Sequence, residues 1–139
     1  MPAGCALCDD VGGVPLWRDE FCRVVRVSDN DYPGFLRVVL NRHVSEMTDL
    51  DVPSRERLMR TVFAAEQTLR ELLRPRKINL ASLGNQVPHL HWHVVARDPQ
   101  DPHFPGSVWS KPLRPGSATP RAPSDAALRA HLTELLSQT

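Results

Sequence analysis

Apolar positions cluster first in two short runs, residues 14–17 and 21–27, separated by the polar triplet Arg18-Asp19-Glu20. Runs this short, rich in valine and broken by charge, predict a hairpin rather than a helix. Residues 29–34 (DNDYPG) read as a turn, and residues 35–40 (FLRVVL) as a third strand ending at Asn41-Arg42-His43. From Ser54 the period changes: Leu58, Val62, Ala65, Leu69 and Leu72 recur at spacings of four, three, four and three. That spacing predicts an amphipathic helix over 54–74, with Ser54 as its N-cap and Pro75 ending it. Its outward charges, among them Arg55, Glu56, Arg60 and Glu66, read as a solvated face. Residues 77–83 read as a strand, Gly84-Asn85-Gln86 as a turn, and residues 89–96 (HLHWHVVA) as a strand alternating strictly to Val94. Residues 97–123 carry no period, and seven of the chain's 13 prolines lie between Pro99 and Pro123. A loop of that length is expected to be functional or mobile. A last helix is predicted over 124–137, with Leu128, Leu132, Leu135 and Leu136 on one stripe.

At 139 residues the chain reads as a single domain, 1–139, with one core. Seventeen basic and 16 acidic residues leave a net charge of +1, which argues against a general nucleic-acid or anionic-membrane surface. A small anionic ligand needs only a local patch. No apolar run approaches the roughly 20 residues that span a bilayer, and MPAGCALCDD lacks a signal pattern, so a cytoplasmic protein without a membrane partner is expected. Three cysteines imply no disulfide framework. Cys5 and Cys8, in Cys-x-x-Cys spacing, read as metal-binding or redox-active, and Cys22 as a small buried hydrophobe.

Half of the six histidines fall within five residues: His89, His91 and His93. Spaced by two in a strand, they project from one face while Leu90, Trp92 and Val94 project from the other. Successive imidazoles would then stand roughly 6–7 Å apart. Three readings of such a row are open: nucleophilic and acid–base chemistry, chelation of one metal ion, or polar residues with no chemistry.

The segment His89-Leu90-His91-Trp92-His93-Val94-Val95 resembles the signature of the histidine triad (HIT) superfamily, His-φ-His-φ-His-φ-φ with φ apolar, and a glycine-containing turn precedes it. The resemblance runs from Cys5-x-x-Cys8 through Pro33-Gly34, His43, Asp49-Leu50 and the long helix to the triad. Asp101-Pro102-His103-Phe104-Pro105 looks like the segment that follows the triad in one bacterial branch of nucleotide hydrolases. The resemblance implies an α+β, HIT-like fold: an antiparallel sheet of about five strands, one long helix on a face and a C-terminal helix. It also implies hydrolysis or transfer at the α-phosphorus of a nucleotide, a purine nucleotide substrate, and a homodimer, to whose interface the tail with Trp109 is free to contribute.

In the implied mechanism His91 is the nucleophile and forms a covalent nucleotidyl-imidazole. His93 holds or protonates the leaving group, and His89 completes the triad. Asn79, Asn85 and Gln86 match positions that contact phosphate or leaving group, though turn formation and solvation explain the same residues. Cys5, Cys8, His43 and His89 match a structural zinc site of some HIT branches; the other reading is a reduced cysteine pair. One departure is visible: many HIT hydrolases place a fourth histidine where this chain has Phe35. A nucleotide-binding protein with negligible turnover and a metal-dependent triad enzyme are the competing functions. Phe21, Val25, Val27 and Leu40 line a base slot or belong to the core, and Asp29 reads as a turn residue.

Overall fold

The computed structural model describes residues 4–117 and 120–138. The predicted hairpin forms as β1 (Val14–Arg18) and β2 (Cys22–Arg26). Its turn is held by the Asp19 carboxylate, which accepts the backbone N–H groups of Phe21 and Cys22, each at 2.8 Å. The turn at 29–34 is an Asx turn, with Asp29 accepting the N–H of Asp31. β3 (Phe35–Leu40), β4 (Lys77–Ala81) and β5 (His91–Arg97) complete one antiparallel sheet in the order β1-β2-β3-β5-β4. The fold is the expected five-stranded α+β arrangement.

Among the described residues three α-helices accompany the sheet: α1 (Ala6–Asp9), a single turn that periodicity does not reveal, α2 (Val52–Leu73) and α3 (Asp125–Leu136). α2 starts earlier than the apolar spacing suggests. The Asp51 carboxylate accepts the N–H of Ser54, so Asp51 is the N-cap and Val52-Pro53 fill the first turn, where proline costs no hydrogen bond. It ends at Arg74, in the left-handed region with φ 49°, just before Pro75. Ser124 caps α3 as expected, and His131 on α3 donates to Glu71 on α2.

Strand alternation gives the sheet two unlike faces. Cys22, Val24, Leu36, Val38, Leu40 and Val94 face α2 and α3 and pack on Leu58, Val62, Ala65, Leu69, Leu128 and Leu132. Cys22 is fully buried, as expected, and burial pushes its thiol up to about 11. The opposite face presents Arg23, Val25, Phe35, Arg37, His91, His93, Val95 and Arg97. The cross-strand pairs Phe35–Val95 and Arg37–His93 lie on it.

The predicted strand over 89–96 is shifted by two residues at its start. Leu90 donates to the Val44 carbonyl at 2.7 Å and its own carbonyl accepts from Leu40, so the chain is bent there and the ladder opens only at His91. His91 and His93 share the strand face; His89 stands before it. β4 likewise ends at Ala81, short of the expected 83.

Candidate active site

His91 is 8 % and His93 6 % exposed, with ring centroids 4.9 Å apart. His91 Nδ1 lies 2.6 Å from the carbonyl oxygen of His89. A carbonyl only accepts, so Nδ1 carries the hydrogen, and the neutral ring keeps its lone pair on Nε2. Burial holds the His91 pKa below its ordinary value, partly offset by that hydrogen bond. His93 is pushed down to about 4 by burial, then by His91 and Arg37. Its Nδ1 is buried without a partner. Phe35 meets the His93 ring edge-on at 5.7 Å, and Trp109 at 4.9 Å. Beside His91 a cavity of about 270 Å³ is lined by Ser45, Thr48, Ser82, Gly84 and Trp92 among others.

His89 is turned away from this pair. Its Nε2–H donates to the Leu40 carbonyl at 2.6 Å, leaving the Nδ1 lone pair 3.5 Å from Cys5 Sγ and 3.4 Å from Cys8 Sγ. His43 Nδ1 lies 3.3 Å from Cys8 Sγ, and all four ligand atoms are within 4.8 Å of one another. Zinc bonds of about 2.3 Å to sulfur and 2.0 Å to nitrogen give a tetrahedral S–N edge of about 3.5 Å. Two thiols and two correctly oriented imidazoles therefore fit a closed structural zinc site. Among the described residues this is the one such group, and it contains neither His91 nor His93. The three triad rings thus do not converge on a single ion, as the metal-dependent alternative requires.

Three arginines share the histidine face. Arg23 donates to the carbonyls of Val11, Leu7 and Asp10 and to Asn41 Oδ1, clamping the segment that carries Cys5 and Cys8 onto β2. Arg97 donates to both Asp101 oxygens, to Asn79 Oδ1 and to the Gly106 carbonyl. Asp101 also accepts Tyr32 OH and the N–H groups of Asp98, His103 and Phe104. Since a carboxylate only accepts, Tyr32 donates to Asp101 and receives His103 Nδ1–H at 2.6 Å. The proline-rich stretch is thereby pinned at its start, and it carries Trp109 back onto His93. Among the described residues Arg37 makes one bond, from Nη1 to the Gly12 carbonyl at 2.9 Å, and its buried Nε has no partner.

The remaining predicted residues separate. Asn79 lies on the histidine face, cross-strand from Val95, but its amide oxygen is taken by Arg97. Asn85 and Gln86 are exposed and do not line the cavity beside His91. Leu40 lies in the helix-side core and Phe21 packs against that core beneath Arg57, so neither lines a slot on the histidine face; Val25 does lie on it. Arg37, Arg97, Tyr32 and Trp109 were not singled out as site residues by sequence reasoning. The available signal was a basic residue inside an apolar strand, Arg37 in FLRVVL.

Comparisons with known proteins identify the family and the fold. A family model described as the HIT domain matches residues 14–100. No curated protein matches the sequence. Among solved structures, a histidine triad protein from Marinobacter aquaeolei is 30% identical over 92% of this chain and 91% of its own, with a TM-score of 0.70. One from Bradyrhizobium japonicum is 28% identical over 91% and 90%, with a TM-score of 0.68. A zinc-bound histidine triad family protein from Mycobacterium smegmatis, 23% identical over 98% of both chains, shares the fold with a TM-score of 0.66. The matched residues contain the triad and the sheet that carries it, and the chain therefore belongs to the HIT family.

Proposed function

We propose that this protein is a nucleotide hydrolase or transferase that attacks the α-phosphorus of a nucleoside phosphoramidate or dinucleoside polyphosphate, with a purine nucleoside. The observation that carries this reading is the His91 tautomer: the bond to the His89 carbonyl leaves Nε2 with a free lone pair, beside a second imidazole. In the first step His91 Nε2 forms a bond to phosphorus as the bond to the leaving group breaks. The leaving group departs with the electron pair, beside His93. In the second, water or another acceptor attacks the nucleotidyl-imidazole, the P–N bond breaks, and the pair returns to Nε2. In the first step solvent would supply the proton that the leaving group takes up, with His93 beside it, and in the second the attacking water would give its proton to the neutral His93. Asn79, Asn85 and Gln86 remain candidates for phosphate and leaving-group contacts.

Cys5, Cys8, His43 and His89 would hold a zinc ion, whose chemistry there is that of a fixed structural cross-link. The chain's own residues carry the reaction: His89 supplies the carbonyl that sets the nucleophile's tautomer, and Arg23 holds the cysteine segment in place. A homodimer in the cytoplasm completes the proposal. One observation favours a second reading, nucleotide binding with negligible turnover: Phe35 leaves His93 Nδ1 without a polar neighbour.

The test is intact-protein mass after brief incubation with adenosine and guanosine phosphoramidates and dinucleoside polyphosphates, quenched at alkaline pH. A nucleotidyl adduct present in the wild type and absent from His91→Ala is expected. Binding without adduct or substrate loss would replace the enzyme reading with the second one.

A further inference from the structure

The three arginines on the histidine face are not equivalent. Arg23 and Arg97 each make four hydrogen bonds to protein oxygens, and Arg97 is neutralised by Asp101. Arg37 makes one, to a neutral carbonyl. Among the described residues no carboxylate pairs with it, and its Nε–H is buried without an acceptor. A guanidinium carries five donors and no acceptor; Arg37 is half-buried, and its buried Nε–H left without an acceptor is costly unless a ligand takes it. The register places Arg37 directly across from His93, on the face that His91 shares. The unmet donor therefore sits on the strand face that also carries His91 and His93, where an anion presented to the imidazoles would meet it.

We infer that Arg37 is the anion-binding residue of this site, its guanidinium taking a non-bridging oxygen of the phosphate presented to His91. This rests on the proposed function for the identity of the phosphate, while the anion subsite itself does not. The role is positioning plus charge: Arg37 holds the phosphorus against Nε2 and offsets the negative charge that grows on its oxygens as the P–N bond forms. Because the guanidinium stays charged whether or not His93 is protonated, it supplies the positive charge that a buried, neutral His93 does not. The bond to Gly12 fixes one nitrogen and leaves the rest of the planar group to the ligand.

The experiment uses three probes, inorganic phosphate, adenosine monophosphate and adenosine, titrated calorimetrically into wild type, Arg37→Met and Arg37→Lys. Loss of one charge-assisted contact weakens binding by roughly 10- to 100-fold. Arg37→Met is expected to lose that much for phosphate and the monophosphate and nothing for adenosine, with Arg37→Lys in between. Equal weakening of adenosine and its monophosphate would show a merely structural role and overturn the inference; so would unchanged monophosphate affinity. Wild type that binds phosphate through Arg37 but neither adenosine compound would keep the inference and discard the nucleotide reading. If the variants do not fold, the Nε–H resonance of Arg37 in wild type decides. It must shift on addition of phosphate, and an unmoved signal at saturating phosphate rejects the site.

Discussion

Phe35 stands edge-on to His93 with ring centroids 5.7 Å apart, and with Trp109 it shuts the imidazole into an aromatic corner. An apolar neighbour gives His93 Nδ1 nothing to donate to, which disfavours the charged ring. Phe35→His restores a polar partner. The His93 titration midpoint, followed by NMR of the imidazole protons, is expected to rise from about 4 towards the ordinary histidine value. A midpoint that stays put would mean that depth of burial alone sets it.

The same residue makes stability depend on acid in a definite window. His93 titrates near 6.5 when unfolded and near 4 when folded, so between those values the unfolded chain takes up a proton that the folded chain refuses. The stabilisation is complete above about 6.5 and is lost as pH falls to about 4, a cost of about 3 kcal/mol in all. Asp101 acts lower. Burial raises its pKa, but Arg97 and the backbone donors outweigh this and hold it at about 2. Its contribution is present above the ordinary carboxylate range and is lost from there down to about 2. Urea unfolding of His93→Gln between pH 5 and 6 should show a slope of stability against pH smaller by about one proton per chain than wild type. Parallel slopes would contradict the shift.

Removing the charge of Asp101 tests how the loop is fastened. Arg97 and Asp101 are 3% and 8% exposed at their side chains and 2.9 Å apart. Asp101→Asn leaves a buried guanidinium underpaired and should cost roughly 3–5 kcal/mol. The indole N–H resonance of Trp109 is expected to move and broaden, since the segment bearing it loses its anchor. A stable variant with an unchanged Trp109 signal would show that other contacts hold the loop.

The thiol–imidazole cluster predicts about one equivalent of zinc in protein purified without chelator. Cys8→Ser should lose the metal and lower the melting temperature, whereas Cys22→Ala, whose sulfur is fully buried 3.5 Å from Thr61, should keep it. Metal analysis together with thermal melts separates the two. Retention of zinc by Cys8→Ser would rule out the four-ligand set.

Much of the scaffold was legible because it follows from local periodicity. FLRVVL is β3 to the residue, and the leucine spacing finds α2 except for its first turn, where Asp51 rather than Ser54 supplies the cap. The spacing of His91 and His93 likewise puts both on one strand face. His89 was misplaced because its position is fixed by backbone bonds from Leu90 to Leu40 and Val44, partners about 50 residues away that no local period encodes. Alternation tells two faces apart but not which polar one is covered. Arg23, Arg37 and Arg97 lie on the polar face, and only long-range contacts with segments from both ends of the chain show that this face is covered. Asn85 and Gln86 match motif positions and stand exposed in the turn before the triad.

The strand order carries a consequence for biosynthesis. β5, last of the strands in sequence, occupies the slot between β3 and β4 rather than an edge. While the chain is being made, β3 therefore presents an open, apolar hydrogen-bonding border that nothing can close until residues past Arg97 leave the ribosome. A nascent chain or fragment stopped before His91 has neither nucleophile nor finished sheet, and it exposes the border most prone to pairing with a stranger. Completion of the reactive strand and protection from aggregation are thus a single late event in the life of each molecule.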